Sequence, residues 1–183
     1  ATIATVTSGT QSYGGAVTNS GTITGVGLVT VSGNLTSGGT LNMGTGGATV
    51  TGAANFSGGT VQFAGAGTAA ILTVTGNLTF SAGSTVSNAT GIDTITFSGG
   101  LAQTLTSGGK TLPSIAESKS GNGVTLQDDV TQAAGATLTF NNSAATSFDL
   151  NGHVFTPGAN LTINDADTTL TVNGGTYSGG GSY

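Results

Sequence analysis

The 183-residue sequence contains no cysteine, which removes disulfides, thiolate metal sites and cysteine nucleophiles together. Its positive charge is confined to two lysines, so no cation cluster is present to displace counterions from a nucleic-acid backbone. One histidine, no arginine and seven acidic residues, for a formal charge of −5, leave little for acid–base or phosphoryl-transfer chemistry. The composition argues against an enzyme. Charged residues are 5% of the chain and aromatics 5%, where charge alone ordinarily fills about 25% of a globular domain. No apolar run reaches the roughly 18 residues of a membrane-spanning helix. The chain starts at Ala1 with neither Met nor a basic stretch, so no signal peptide is expected, as in a processed or excised chain.

Small residues fill the space instead. Glycine occupies 34 positions, and Ser and Thr together roughly 30%. Hydrophobic residues at 36% and a mean hydropathy of +0.20 exclude a disordered chain, which needs high charge and few apolar groups. The glycines come in irregular singles and pairs, not at every third position, which excludes a collagen helix.

Alternation of period two runs along most of the chain. It marks Thr2–Thr7, Leu28–Ser32, Ala48–Thr51, Ala70–Thr75, Asp93–Ser98, Gln103–Thr106, Gly123–Gln127, Thr137–Phe140 and Thr168–Val172. Val, Ile, Leu or Phe takes one side and Thr the other, the pattern of half-buried strands. Gly-Gly, Ser-Gly and Asn-Gly pairs between them supply corners with positive φ. Only Pro113–Lys119 has mild helical character. The fold class predicted is all-β.

The strands also recur. Val31-Ser32-Gly33-Asn34-Leu35, followed by Ser37-Gly38-Gly39-Thr40-Leu41, forms one unit. Val50-Thr51-Gly52 and Ser57-Gly58-Gly59-Thr60-Val61 repeat it in the same order. Val74-Thr75-Gly76-Asn77-Leu78 opens a third copy, Asn160-Leu161-Thr162-Ile163 echoes it, and Val172–Gly180 resembles a last one. A period of about 20 residues predicts a parallel β-solenoid, a β-helix whose coils bury their apolar side only by stacking. About nine coils at ~4.8 Å each would make a rod on the order of 40 Å long. The inward positions predicted are Val31, Leu35, Val50, Phe56, Val61, Leu72, Val74, Leu78, Ile95, Phe97, Leu138, Phe140, Leu150, Leu161 and Leu170. The runner-up is a β-sandwich polymerised by strand donation, with Thr2–Thr7 as the donor.

Within Asp93–Val172 the segments DTITFSGG (93–100), QTLTSGG (103–109), KTLPSI (110–115), GVTLQDDV (123–130) and LNGHVF (150–155) follow one another. This series resembles the right-handed β-helix repeats of large bacterial surface and adhesin-like proteins. The N-terminal half shares only the looser Gly/Asn/Thr pattern of haemagglutinin-like and autotransporter-passenger solenoids. The resemblance implies an extracellular, cell-surface structural or adhesive module. One solenoid domain over 1–183 is expected, with uncharged coils over 1–92, adhesin-like coils over 93–176 and a Gly/Ser tail over 177–183.

All nine Lys, Asp and Glu residues lie at Asp93 or later. Soluble surfaces normally carry charge to stay dispersed, and open solenoid ends expose unpaired backbone groups. A neutral, Thr-rich surface on such a rod predicts self-association, head to tail or side by side, or coverage by neighbouring coils of a longer chain.

Candidate sites are few. Asn164-Asp165-Ala166-Asp167 offers oxygen ligands suited to Ca²⁺, but the calcium signature GGxGxDxU is missing and the same residues make an ordinary Asx turn. Asp128-Asp129 are adjacent, so their side chains diverge on a strand and form no acid–base dyad. Pectin-lyase-type solenoids use Asp, Arg and Lys clusters, and this chain has no Arg. Alternation faces Val154 inward and His153 outward. Lys110 and Lys119, with several Asn, Asp and Glu residues, have the groups for an intramolecular isopeptide bond, which the sequence gives no spacing to test. Sequons at Asn34, Asn77, Asn88, Asn141 and Asn160 are about as many as the composition produces by chance. Thr pairs at Thr5/Thr7, Thr22/Thr24, Thr73/Thr75, Thr94/Thr96, Thr137/Thr139 and Thr169/Thr171 would form an ice-binding lattice only at one fixed offset per coil. The gaps between successive pairs are uneven, which predicts a broken ladder.

No catalytic, cofactor-binding or metal-ligating residue is therefore assigned, and no cofactor is expected. The reading is a self-associating extracellular fibre or adhesin stalk, partnered by copies of itself. The alternative is a surface module binding carbohydrate or ice on a flat Thr-rich face.

Overall fold

The computed structural model describes residues 10–25, 27–64, 67–159, 161 and 168–178. Within them the chain forms 23 short strands, most of three residues, and no helix. Three-residue strands make too few contacts to stand alone, so each depends on the coil before and after it. The strands stack in parallel into three sides. One side has seven strands, from Gln11–Tyr13 to Leu138–Phe140, and a second has eight, from Val17–Asn19 to Thr168–Thr171. The third is split into two four-stranded sheets, Thr22–Thr24 to Thr85–Ser87 and Thr111–Leu112 to Thr176–Tyr177. This is a parallel β-solenoid. Pairing among the described residues is exclusively parallel, which rules out the β-sandwich.

Register partners along the first side are Gln11, Val29, Ala48, Leu72, Ile95, Ile115 and Leu138. The turns number about 7 and average about 22 residues, fewer and longer than the sequence period suggests. Their lengths differ because the corners between strands vary while the strands themselves stay in register. At ~4.8 Å per step the stacked strands of this side span about 30 Å.

The interior is made by the inward half of the alternation. Fourteen of the fifteen predicted inward residues are buried, Val31 through Leu161, and Leu170 is partly buried against the same core. Phe56 and Phe80 pair in register and stack with ring centroids 5.2 Å apart. Phe148 meets both Phe140 and Phe155 edge-on, and Tyr177 stacks on Phe155 at 5.9 Å.

The repeated Ser-Gly-Gly-Thr corner has a steric cause. A Cβ on Gly39 would lie 2.0 Å from the Gly21 carbonyl oxygen, and one on Gly59 2.1 Å from that of Gly39. Stacked corners leave no room for a side chain there. The other repeated element, Gly-Asn-Leu, bridges coils. Asn34 Oδ1 accepts the Ala53 N–H at 2.9 Å, and Asn77 Oδ1 accepts the Thr104 N–H at 2.9 Å.

Two further expectations are corrected. Pro113–Lys119 is not helical: Ser114–Lys119 is a six-residue strand in the first side, and its Ile115, Glu117 and Lys119 are buried. Pairing with Thr94–Gly99 along its whole length overrides the weak helical preference. Val154 is 36% exposed and Phe155 fully buried, so the alternation there runs one residue later than expected. The larger ring takes the core position.

The break in the third side falls between Ser87 and Thr111, and the first charged residue of the chain, Asp93, sits in it. Asp93 is fully buried. Its carboxylate accepts the Ala70 N–H at 2.8 Å, the Thr90 N–H at 2.9 Å and the Thr90 hydroxyl at 2.7 Å. It fixes the loop that replaces the missing ladder.

Candidate functional site

Asp128 and Asp129 follow the end of the strand Val124–Leu126 and diverge, as expected. Asp128 turns back to the previous coil, where it accepts the Ser107 N–H at 2.7 Å, the Gly108 N–H at 2.7 Å and the Ser107 hydroxyl at 3.1 Å. Gly108 takes a φ of +60° at this corner, which glycine adopts without a Cβ clash. Asp129 turns to the following coil and accepts the Val154 N–H at 2.9 Å. His153 is half-buried rather than fully outward, with Nδ1 3.5 Å from Asp129 Oδ1. Gly109, Asp128, Asp129 and His153 line a shallow open depression. Among the described residues no three His, Cys, Asp or Glu side chains converge on a metal-sized site.

Lys110, Asp149 and Lys119 are also tied to backbone. Lys110 donates to the Ala82 carbonyl at 2.8 Å and Asp149 accepts the Asn151 N–H at 2.8 Å. Lys119 is buried and donates to the Leu101 carbonyl at 2.7 Å and to the side-chain carbonyl of Gln103. Burial pushes the Lys119 ammonium below the usual lysine range, and the charge of Glu117 partly opposes that shift. Glu117 is itself fully buried, in the inward column between Phe97 and Phe140. The sequence offers Lys119 with Asn, Asp and Glu residues as isopeptide groups but does not bring Gln103 to it. Lys119 and Gln103 are well separated along the chain and meet only because one coil closes between them.

Single threonines line up although the Thr pairs do not. On the first side Thr30, Thr49, Thr73 and Thr96 pair in register, one per coil, all partly exposed. Ser12 precedes them, Ala116 interrupts the column, and Thr139 resumes it. Two positions further along each strand direction, Ser32, Thr51, Thr75 and Ser98 follow the same coils. The third side carries a second column, Thr22 and Thr40, then Thr60 and Thr85. The ladder of pairs is broken, as expected, and what the sequence did not show is this four-coil column of single threonines. The pairs themselves do scatter: Thr22/Thr24 is on the third side and Thr169/Thr171 on the second.

Of the sequons, Asn34 and Asn77 make the cross-coil bridges above, and Asn88 takes a positive φ of 58°. Asn141 is exposed. Asn160, the Asn164–Asp167 loop, Thr2–Thr7 and the Thr5/Thr7 pair lie outside the described residues. No protein-family model, curated protein or solved structure matches the chain.

Proposed function

We propose that the chain is a structural element of a cell surface or extracellular fibre, a stiff self-associating rod with no catalytic role. The observation that carries this reading is the use of its charge. Six of the seven charged side chains among the described residues (Asp93, Lys110, Lys119, Asp128, Asp129 and Asp149) hydrogen-bond to main chain. These groups hold coils and corners in place. The uncharged half also exposes apolar residues at one margin of the first side. Leu28 is 38% exposed, Ile71 50%, and Ile92, next to Asp93, 50%. Leu28 and Ile71 each sit just before an in-register pair of this side. A neutral surface carrying such residues favours contact with a second copy.

Sedimentation velocity at rising concentration tests this. The sedimentation coefficient of the chain is expected to climb with concentration, and the climb to be reduced at least several-fold in an Ile71→Lys, Ile92→Lys double variant that keeps its fold. One slow species at every concentration would end the self-association reading.

The in-register threonine column favours a second reading, a flat face that binds ice or carbohydrate. Hydroxyl and methyl groups recur at ~4.8 Å along the column, with Ser or Thr two positions away in the same strand direction. Thr49→Lys with Thr73→Lys is expected to abolish any inhibition of ice recrystallisation or retention on polysaccharide. If the unaltered chain shows neither, this reading is wrong.

A further inference from the structure

Lys119, Gln103 and Glu117 form a cluster that a structural rod does not by itself require. Each is at most 1% exposed. Lys119 Nζ contacts Gln103 Oε1 directly. The Gln103 amide is held from its other side, its Nε2 donating to the Gly76 carbonyl at 2.6 Å and the Val74 carbonyl at 3.2 Å. Its carbonyl end is thereby turned toward the lysine. Glu117 lies two positions before Lys119 on the same strand and faces the same inward side, both residues being buried. Phe97 and Phe140 flank it in the column, so the group is shielded from water.

We propose that Lys119 and Gln103 form an intramolecular isopeptide bond, with Glu117 as the proton carrier. The unprotonated amine nitrogen of Lys119 attacks Gln103 Cδ, and a new N–C bond forms as the bond from Cδ to Nε2 breaks. One amine proton passes through the Glu117 carboxyl to Nε2, which leaves as ammonia. Glu117 ends as it began, and no oxidant, reductant or co-reactant is consumed. An amine and an amide become an amide and ammonia. Two features of the cluster suit the step: the burial that disfavours the ammonium form, and the fixed orientation of the amide. The product would join the strand Gln103–Thr106 of the second side to Ser114–Lys119 of the first, closing one coil covalently. Such a bond stands or falls separately from self-association of the rod.

The test is intact mass followed by trypsin digestion of the denatured full chain. Its only basic cleavage residues are Lys110 and Lys119, so an unlinked chain yields peptides 1–110, 111–119 and 120–183. The expected result is a mass lower by one ammonia, no cleavage after Lys119, and fragments 1–110 and 111–183 still joined after cleavage at Lys110. Full mass with three separate peptides would overturn the proposal. So would an ammonia-deficient chain that still gives three peptides, since a succinimide at Asn122-Gly123, Asn151-Gly152 or Asn173-Gly174 also loses ammonia. Gln103→Glu is expected to lose water instead, and Glu117→Gln to keep its full mass. A linked Glu117→Gln chain would remove the role given to Glu117. Should either variant misfold, the unaltered chain still decides whether the bond exists.

Discussion

Phe56→Ala is expected to lower the unfolding free energy by about 3–5 kcal/mol, the range for deleting a buried aromatic ring. Phe56 is fully buried and lies flat against Phe80 of the next coil, the two planes 15° apart. Removing it takes away the ring's own burial and half of a stacked pair. Collapse around the gap is restricted, because the Phe56 and Phe80 strands are held in register by backbone ladders on both sides. In a stacked-coil protein the loss is felt at a nearest-neighbour interface, so it also weakens the coupling between the two ends. Thr49→Ala, on the outer side, serves as the control and is expected to change stability by less than about 0.5 kcal/mol. Urea unfolding followed by circular dichroism measures both. Equal midpoints for the two variants would contradict the assignment of inward and outward positions.

Asp93→Ala is expected to cost about 3 kcal/mol, because it leaves buried donors without an acceptor. Three donors converge on this carboxylate from two coils, Ala70 N–H, Thr90 N–H and the Thr90 hydroxyl. Thr90 can turn its hydroxyl elsewhere, but the two backbone N–H groups cannot. Asp93→Asn keeps one acceptor oxygen and points an amide NH₂ at a donor, so a smaller loss is expected. Hydrogen exchange locates the effect: faster exchange is expected at positions 88–93, where the third side is interrupted, than at the paired strand Ile71–Val74. A stability unchanged in Asp93→Ala would show that the loop is held by other contacts.

The strand positions were legible because Val, Leu and Phe alternate with Thr for long enough to fix a side. Where that contrast fades, the reading fails for a definable reason. In Ser114–Lys119 the inward positions are Ile115, Glu117 and Lys119, so polarity no longer reports direction. At Val154-Phe155 two apolar residues are adjacent and either one satisfies the pattern. The glycine corners were legible as turns, but the need for glycine at Gly39 and Gly59 comes from the coil beneath, which no local pattern contains. The threonine column was hidden for a related reason. Distance along the chain includes corners of variable length. Thr49 and Thr73 are therefore further apart in sequence than Thr30 and Thr49, yet all three fall in one column in space. The cluster of Lys119, Gln103 and Glu117 needs both the corrected strand and the closure of a coil. Sequence supplied the residue types but not their meeting.

The most direct test of the proposed rod is negative-stain electron microscopy of the chain at low and high concentration, with diffraction from oriented samples. The expected result is filaments about 2–4 nm wide with a ~4.8 Å repeat along the filament axis, as stacked parallel strands require. Dispersed rods about 3 nm long at every concentration, the length set by the coils of one chain, would contradict self-assembly.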